Sequence, residues 1–158
     1  MLRWMTRGNE LRGRRQHPSL YASDESSPRH ARARECLAQW AAGSEILCFT
    51  WNTLFAYLRV ATHPRIFEQP LSPDTAKANI EALLALPHVR VLSEDDGFWR
   101  HFTDVTRSIP VRGNLVPDAH LVALLRQHGV RVLYTNDTDF KKFAAIKERD
   151  PFGRDDGA

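Results

Sequence analysis

The sequence predicts an α/β domain built around a mainly parallel sheet, and three observations carry that expectation. Short apolar runs of strand length, Glu45–Thr50, Val89–Leu92 and Val130–Thr135, recur along the chain. Between them, apolar residues return at helical spacing over stretches of ten or more residues, the pattern of βαβ units. The chain has 158 residues, 42% of them apolar, which is enough for one domain with a real core.

The elements follow in order. Residues 1–19 hold five arginines (Arg3, Arg7, Arg12, Arg14, Arg15), two glycines and almost no apolar period. Composition reads this stretch as a disordered basic tail, with a nucleic-acid-binding arm or a wrongly chosen start or reading frame as alternatives. A packed domain is expected over 20–152, with 153–158 as a tail. Ser27-Pro28 opens a helix to about Ala42, because serine caps and proline is tolerated at the first helical position. That helix should bury Ala33, Leu37, Trp40 and Ala41. After the strand Glu45–Thr50, the spacing of Trp51, Leu54, Phe55 and Leu58 predicts a helix that His63-Pro64 stops. Ser72-Pro73-Asp74 begins another, with a stripe of Ala76, Ile80, Leu83 and Leu84. Val89–Leu92 is a second strand, and Phe98, Phe102 and Val105 mark a further helix. Pro117 starts the last long helix, with Leu121, Leu124, Leu125 and His128 on one side and Gly129 as its stop. Val130–Thr135 is the most strongly apolar strand, followed by Asn136-Asp137-Thr138-Asp139-Phe140.

Charge and cysteine usage narrow the class without deciding it. The formal net charge is +3 with a pI near 9.1, compatible with a nucleic-acid partner. Cys36 and Cys48 have no metal-type spacing and read as reduced thiols in a cytosolic core. No apolar run is long enough to span a bilayer, and the arginine-rich start lacks the apolar segment of a secretory signal. The expected location is cytoplasmic, with no membrane partner.

In parallel sheets ligands bind beyond the carboxyl ends of the strands, so the loop after Thr135 is the first place to look for chemistry. Asp137 and Asp139 stand there, although Asp is also an ordinary turn and capping residue. Asp118 lies in the first turn of its helix, where a carboxylate favours the helix dipole. It shares a face with Leu121, Val122 and Leu125, and a carboxylate on a buried face needs a partner, a proton or a metal. Three aspartates at one sheet edge repel unless a cation neutralises them, and a hard divalent ion such as Mg²⁺ or Mn²⁺ suits oxygen ligands. No zinc set, glycine-rich phosphate loop or nucleophile elbow competes.

The runs LRVATHPRIF (Leu58–Phe67), GNLVPDAHLVALLRQHG (Gly113–Gly129) and TNDTDF (Thr135–Phe140) resemble those of VapC-type PIN domains, in order and spacing, over about Leu20–Phe152. The resemblance implies a PIN-like three-layer α/β/α fold and a metal-dependent endoribonuclease toxin that hydrolyses RNA. It also implies Mg²⁺ or Mn²⁺ as cofactor, a cognate VapB-type antitoxin as partner and a homodimer. Carried over residue by residue, Asp118, Asp137 and Asp139 match the late acids and are implied as catalytic metal ligands.

Two departures go with it. The family's opening strand carries an aspartate, of which only Leu20-Tyr21-Ala22 of the surrounding pattern survives here, with Arg15 near the aspartate's place. The helix Trp51–Thr62 holds no acid where the family often has a glutamate, and Asn52 shares the expected face. The change to arginine-rich sequence predicts a shifted reading frame or wrongly chosen start before Leu20. The missing acids keep open an inactive chain or a non-catalytic PIN-like module that binds RNA or an antitoxin. An ordinary α/β binding domain, whose acids only cap helices, is the third reading. Asn52, Arg59 and Arg112 are candidate substrate contacts, with Arg65, Arg107, Lys141 and Lys142 as further phosphate contacts. Trp51, Phe55 and Tyr57 are candidates for an antitoxin groove or dimer contact, although residues at this spacing are more often core.

Overall fold

The computed structural model describes residues 2–5, 22, 30–135 and 137–151. Five strands, β1 (Leu2–Met5), β2 (Ile46–Thr50), β3 (Val89–Leu92), β4 (Val132–Tyr134) and β5 (Lys147–Arg149), form one sheet in the order β3-β2-β1-β4-β5. Every neighbouring pair is parallel. Parallel pairing demands a crossover between strands, and five α-helices among the described residues are placed to supply it. They are α1 (His30–Ala42), α2 (Trp51–Ala61), α3 (Pro73–Leu84), α4 (Phe98–Thr106) and α5 (Leu115–Gln127), joined by a 3₁₀ turn at Thr138–Lys142.

Strand periodicity of two sorts the core into layers. Leu47, Phe49, Val132 and Tyr134 point to one face, where they cluster with Leu37 and Trp40 of α1, Leu54 of α2 and Ile80 and Leu83 of α3. The alternate residues Cys48 and Leu133 point to the other, against Val105 of α4 and the Leu121–Leu125 run of α5. The sheet is therefore covered on both sides, as a parallel sheet must be. This is the three-layer α/β/α arrangement expected.

Several elements differ from the sequence reading for identifiable reasons. The packed domain was expected from Leu20, whereas the middle strand of the sheet is Leu2–Met5, in register with Cys48 and Leu133 at Trp4. Four residues beside an arginine run are too few to show a period. The start expected for α1 at Ser27-Pro28 lies outside the described residues. Its buried face is centred on Ala33, Cys36, Leu37 and Trp40, and Ala41 is exposed, one step beyond that stripe. In α2 the buried side is Thr53, Leu54, Tyr57, Val60 and Ala61, so Trp51 and Phe55 face outward. Helix α5 begins at Leu115, before the predicted Pro117. Proline still fits there, since first-turn N–H groups have no intrahelical acceptor. β4 is shorter than the predicted Val130–Thr135, and the polar edge strand β5 (KER) gave no apolar signal.

Other signals matched. Ser72 caps α3, its Oγ accepting from the Thr75 amide at 3.0 Å, and Pro73 follows it. Gly129 ends α5 at φ +69°, a conformation that suits a residue without a Cβ. Cys36 and Cys48 are buried and form no disulfide among the described residues. Burial pushes the Cys48 thiol up to about 11, against the opposing charge of Arg90.

Candidate functional site

The carboxyl ends of β2 and β4 build the candidate site. Thr50 is at once the last residue of β2 and the cap of α2. Its Oγ1 accepts from the Thr53 amide at 3.1 Å and lies 3.1 Å from the Thr53 hydroxyl, both side chains being buried. This cap fixes the first turn of α2 and sets Asn52 at the surface beside it. The first turn of α5, which carries Asp118, lies opposite. Between them a cavity of about 350 Å³ is lined by Thr50, Asn52, Pro117, Asp118, His120 and Leu121 among others. Two of the sequence-predicted residues, Asn52 and Asp118, thus line one cavity from its two sides.

The acids after β4 are ordered by a relay of local hydrogen bonds. Thr135 Oγ1 accepts from the Asp137 amide at 3.0 Å, and Asp137 Oδ1 accepts from the Asp139 amide at 2.9 Å. Lys142 Nζ then donates to Asp139 Oδ1 at 2.9 Å. Asp137 is only 2% exposed, so the capping role expected of a turn aspartate is real but coexists with deep burial.

Electrostatics tie the three acids together. Lys142 is held above the ordinary lysine value, first by its hydrogen bond to Asp139, then by the charge of Asp139 and the fields of Asp118 and Asp137. One ammonium therefore feels all three late aspartates. The donors are hard oxygens, of the kind a divalent ion prefers. Among the described residues, however, no group of three or more His, Cys, Asp or Glu closes up enough to hold a metal ion. As placed, these residues do not fit a three-carboxylate metal cage.

The basic candidates divide. Arg59 lies in the last turn of α2, about 10 Å along the helix from Asn52 at 1.5 Å per residue, and does not line the Asp118 cavity. Arg112 is exposed in the loop leading to α5, its carbonyl accepting from the Leu115 amide. Arg65 is exposed, and Arg107 is taken up by Asp104 at 2.6 Å. Lys141 is exposed next to Lys142. Of the aromatic candidates, Tyr57 is buried, and its hydroxyl accepts from Asn79 at 2.9 Å, which makes it structural. Trp51 and Phe55 stack on each other at 5.8 Å, 47% and 59% exposed.

The sequence reading missed one pair at this site. His120 Nε2 lies 2.7 Å from Glu94 Oε1, in the loop after β3, and the imidazole packs on the Phe98 ring at 4.9 Å. A signal existed: His120 is the only polar residue between Asp118 and Arg126.

Comparison with known proteins identifies the family. A PIN domain family model matches residues 20–146. Ribonuclease VapC48 of Mycobacterium tuberculosis is 43% identical, over 84% of this chain and 92% of that protein. VapC ribonuclease Mb2897 of Mycobacterium bovis is 30% identical, over 84% and 89%. Two solved structures share the fold at low identity. M. tuberculosis VapC20, described as a sarcin-ricin loop cleaving toxin, aligns with a TM-score of 0.52 at 19% identity, over 82% of this chain and 94% of that one. Rickettsia felis VapBC2, bound to a DNA fragment from its promoter, aligns with a TM-score of 0.56 at 11% identity, over 94% and 98%. The chain belongs to the PIN-domain family, in its VapC branch.

Proposed function

We propose that the chain is an endoribonuclease of the VapC toxin type, hydrolysing RNA phosphodiester bonds at the carboxyl edge of the sheet. The observation that carries this reading is the placement of Asp118 on an open cavity at the carboxyl edge of the sheet, with Asp137 and Asp139 in the turn that follows β4. In hydrolysis a carboxylate facing that cavity orients a water and takes its proton as the new P–O bond forms and the P–O bond to the leaving ribose oxygen breaks, that oxygen taking up a proton from solvent. Lys142 and the Asn52 amide offset charge that builds on the phosphate oxygens. Arg112, on the approach to α5, adds a phosphate contact outside the reacting centre.

The family reading brings Mg²⁺ or Mn²⁺ with it; as placed, Asp118, Asp137 and Asp139 form no metal group, so their ligation is proposed only for an arrangement in which they draw closer together. A cognate VapB-type antitoxin and a homodimer are proposed as well, supported by the outward Trp51–Phe55 pair. A cytoplasmic location is proposed on the family reading; among the described residues no helix is long and apolar enough to cross a membrane.

One observation favours a second reading, a non-catalytic PIN-like module that binds RNA or an antitoxin. Neither β1 (LRWM) nor α2 (WNTLFAYLRVA) contains an acid. Incubation with structured RNA and Mn²⁺, beside an Asp118→Ala control, separates the two. Cleavage that the control abolishes is expected; no cleavage, or cleavage the control leaves intact, sinks the enzymatic reading. Mn²⁺ binding that Asp137→Ala removes is expected for the ligand assignment.

A further inference from the structure

We infer that Lys142 holds Asp139 in the place of a divalent ion, so that this acid is closed to metal until the ammonium is displaced. Resting on the nuclease reading, this role makes Lys142 the residue that governs access of the ion to one of the three proposed acids.

The pairing follows from the type of turn. Thr138–Lys142 is a 3₁₀ turn, and with three residues per turn the side chains at i and i+3 stand directly above one another. Asp139 and Lys142 have that spacing, and Nζ lies 2.9 Å from Oδ1. Lys141 stands one step round the turn and forms no ion pair among the described residues. Asp137 is engaged from within the turn. It is the capping residue, its Oδ1 accepting from the Asp139 amide at 2.9 Å while its own amide donates to Thr135 Oγ1 at 3.0 Å. These bonds keep the two acids close to the backbone of their own turn. Asp118 lines the cavity, whereas Asp137 and Asp139 stand outside its lining.

Carboxylates at one sheet edge need positive charge nearby. A divalent ion is one source of it, and an ammonium from the chain itself is another. Among the described residues no group of three ligating side chains closes up, the arrangement expected where the protein supplies the counter-charge. The fields of Asp118 and Asp137 reach the same ammonium. Ammonium and divalent ion repel each other, so both cannot sit on one carboxylate oxygen. The Lys142 and Asp139 side chains are 54% and 42% exposed, at the solvent boundary, where an ion pair is weak and exchanges readily. The pair therefore holds Asp139 in place and yields to a competing cation of higher charge. Lys142 is here a positioning residue; once displaced, its ammonium is free for the phosphate contact proposed for it.

The test measures metal binding, independently of turnover. The full chain is titrated with Mn²⁺ in the absence of RNA, and free Mn²⁺ is followed by its electron paramagnetic resonance signal. Lys142→Met removes the charge at an exposed position and should tighten Mn²⁺ binding roughly three- to tenfold, the size of one exposed ion pair plus the repulsion between two cations. Lys142→Gln, a second neutral replacement, should do the same, whereas Lys142→Arg keeps the cation and should bind as the wild type does. Asp139→Asn should cost about threefold more affinity in the Lys142→Met background than alone, because only there is the carboxylate open. Long-range repulsion without competition would make the two costs equal, and that result overturns the inference. So does a neutral variant that binds no more tightly than the wild type, or the absence of Mn²⁺ binding in every protein. RNA cleavage in Mn²⁺ is scored in parallel beside Asp118→Ala. No cleavage with the affinity shifts intact counts against the nuclease reading, whereas Asp118-dependent cleavage with no gain in Lys142→Met counts against Lys142 alone.

Discussion

Helices α2 and α5 both start at the carboxyl edge of the sheet and both lend their first turn to the Asp118 cavity, yet they are held in opposite ways. In α5 five consecutive residues, Leu121–Leu125, are buried between α4 and the sheet. Helix α2 buries one side and turns a stacked tryptophan–phenylalanine pair outward. The helix that carries the acid is thus clamped along Leu121–Leu125, just past the acid-bearing turn, whereas the helix that carries the aromatic pair is anchored on one side only. A carboxylate that must meet a reacting atom needs a fixed position, which close packing provides. An aromatic pair offered to another macromolecule needs area and access.

The contrast can be broken at its strongest point first. Leu124→Ala in α5 should cost about 3 kcal/mol of unfolding free energy by opening a cavity in close-packed core. Leu58→Ala on the half-buried side of α2 should cost about 1 kcal/mol, and urea denaturation of both variants checks the difference. The next effect is on chemistry. Asp118→Asn should lower RNA cleavage on the order of a hundredfold with little change in melting temperature, whereas Asn52→Ala should lower it only a few-fold, as initial rates will show. Stability should then hardly register the outward face of α2. Trp51→Ser with Phe55→Ser should shift unfolding by no more than about 0.5 kcal/mol per site, while the assembled mass by light scattering falls.

The smallest effect concerns the acid side alone. Lys142 sits above the ordinary lysine value through Asp139, so its pairing contributes fully below that value and is lost as pH rises through the raised one. The melting-temperature difference between the wild type and Lys142→Met should stay flat across neutral pH and shrink only above about pH 10.5. A difference that changed near neutrality would mean the partner, rather than the lysine, is titrating.

Much of this architecture is legible from local chemistry. Ser72-Pro73 announces α3 because a hydroxyl cap and a proline both answer the orphan amides of a helix start. Val89–Leu92 is a strand by its apolar run, and the rule for parallel sheets directs attention to Asp137 before any coordinates are known. The parts that escaped are those fixed by distant partners. β1 is four residues long, and its neighbours on the sheet lie far along the chain. The orientation of α2 escaped because Trp51, Leu54, Phe55 and Leu58 also form a helical stripe, and only packing reveals that Thr53, Leu54 and Tyr57 won the inner side. Glu94 and His120 escaped as a pair because they meet across two elements, although a single histidine amid Ala119–Leu125 was a visible clue.

The middle position of β1 has a consequence for how the chain is made. During synthesis Arg3 leaves the ribosome long before Val132, its registered partner on β4, and even Leu47 on β2 comes more than a helix later. The sheet cannot close around its centre until nearly the whole domain has been translated. Folding dominated by such distant pairings is slow, with both hydrogen-bonding edges of the waiting strand open to wrong partners in the meantime. The step that commits this protein to its final form is therefore the arrival of β4, and a nascent chain truncated before Val132 should remain dependent on chaperones however well its early helices form.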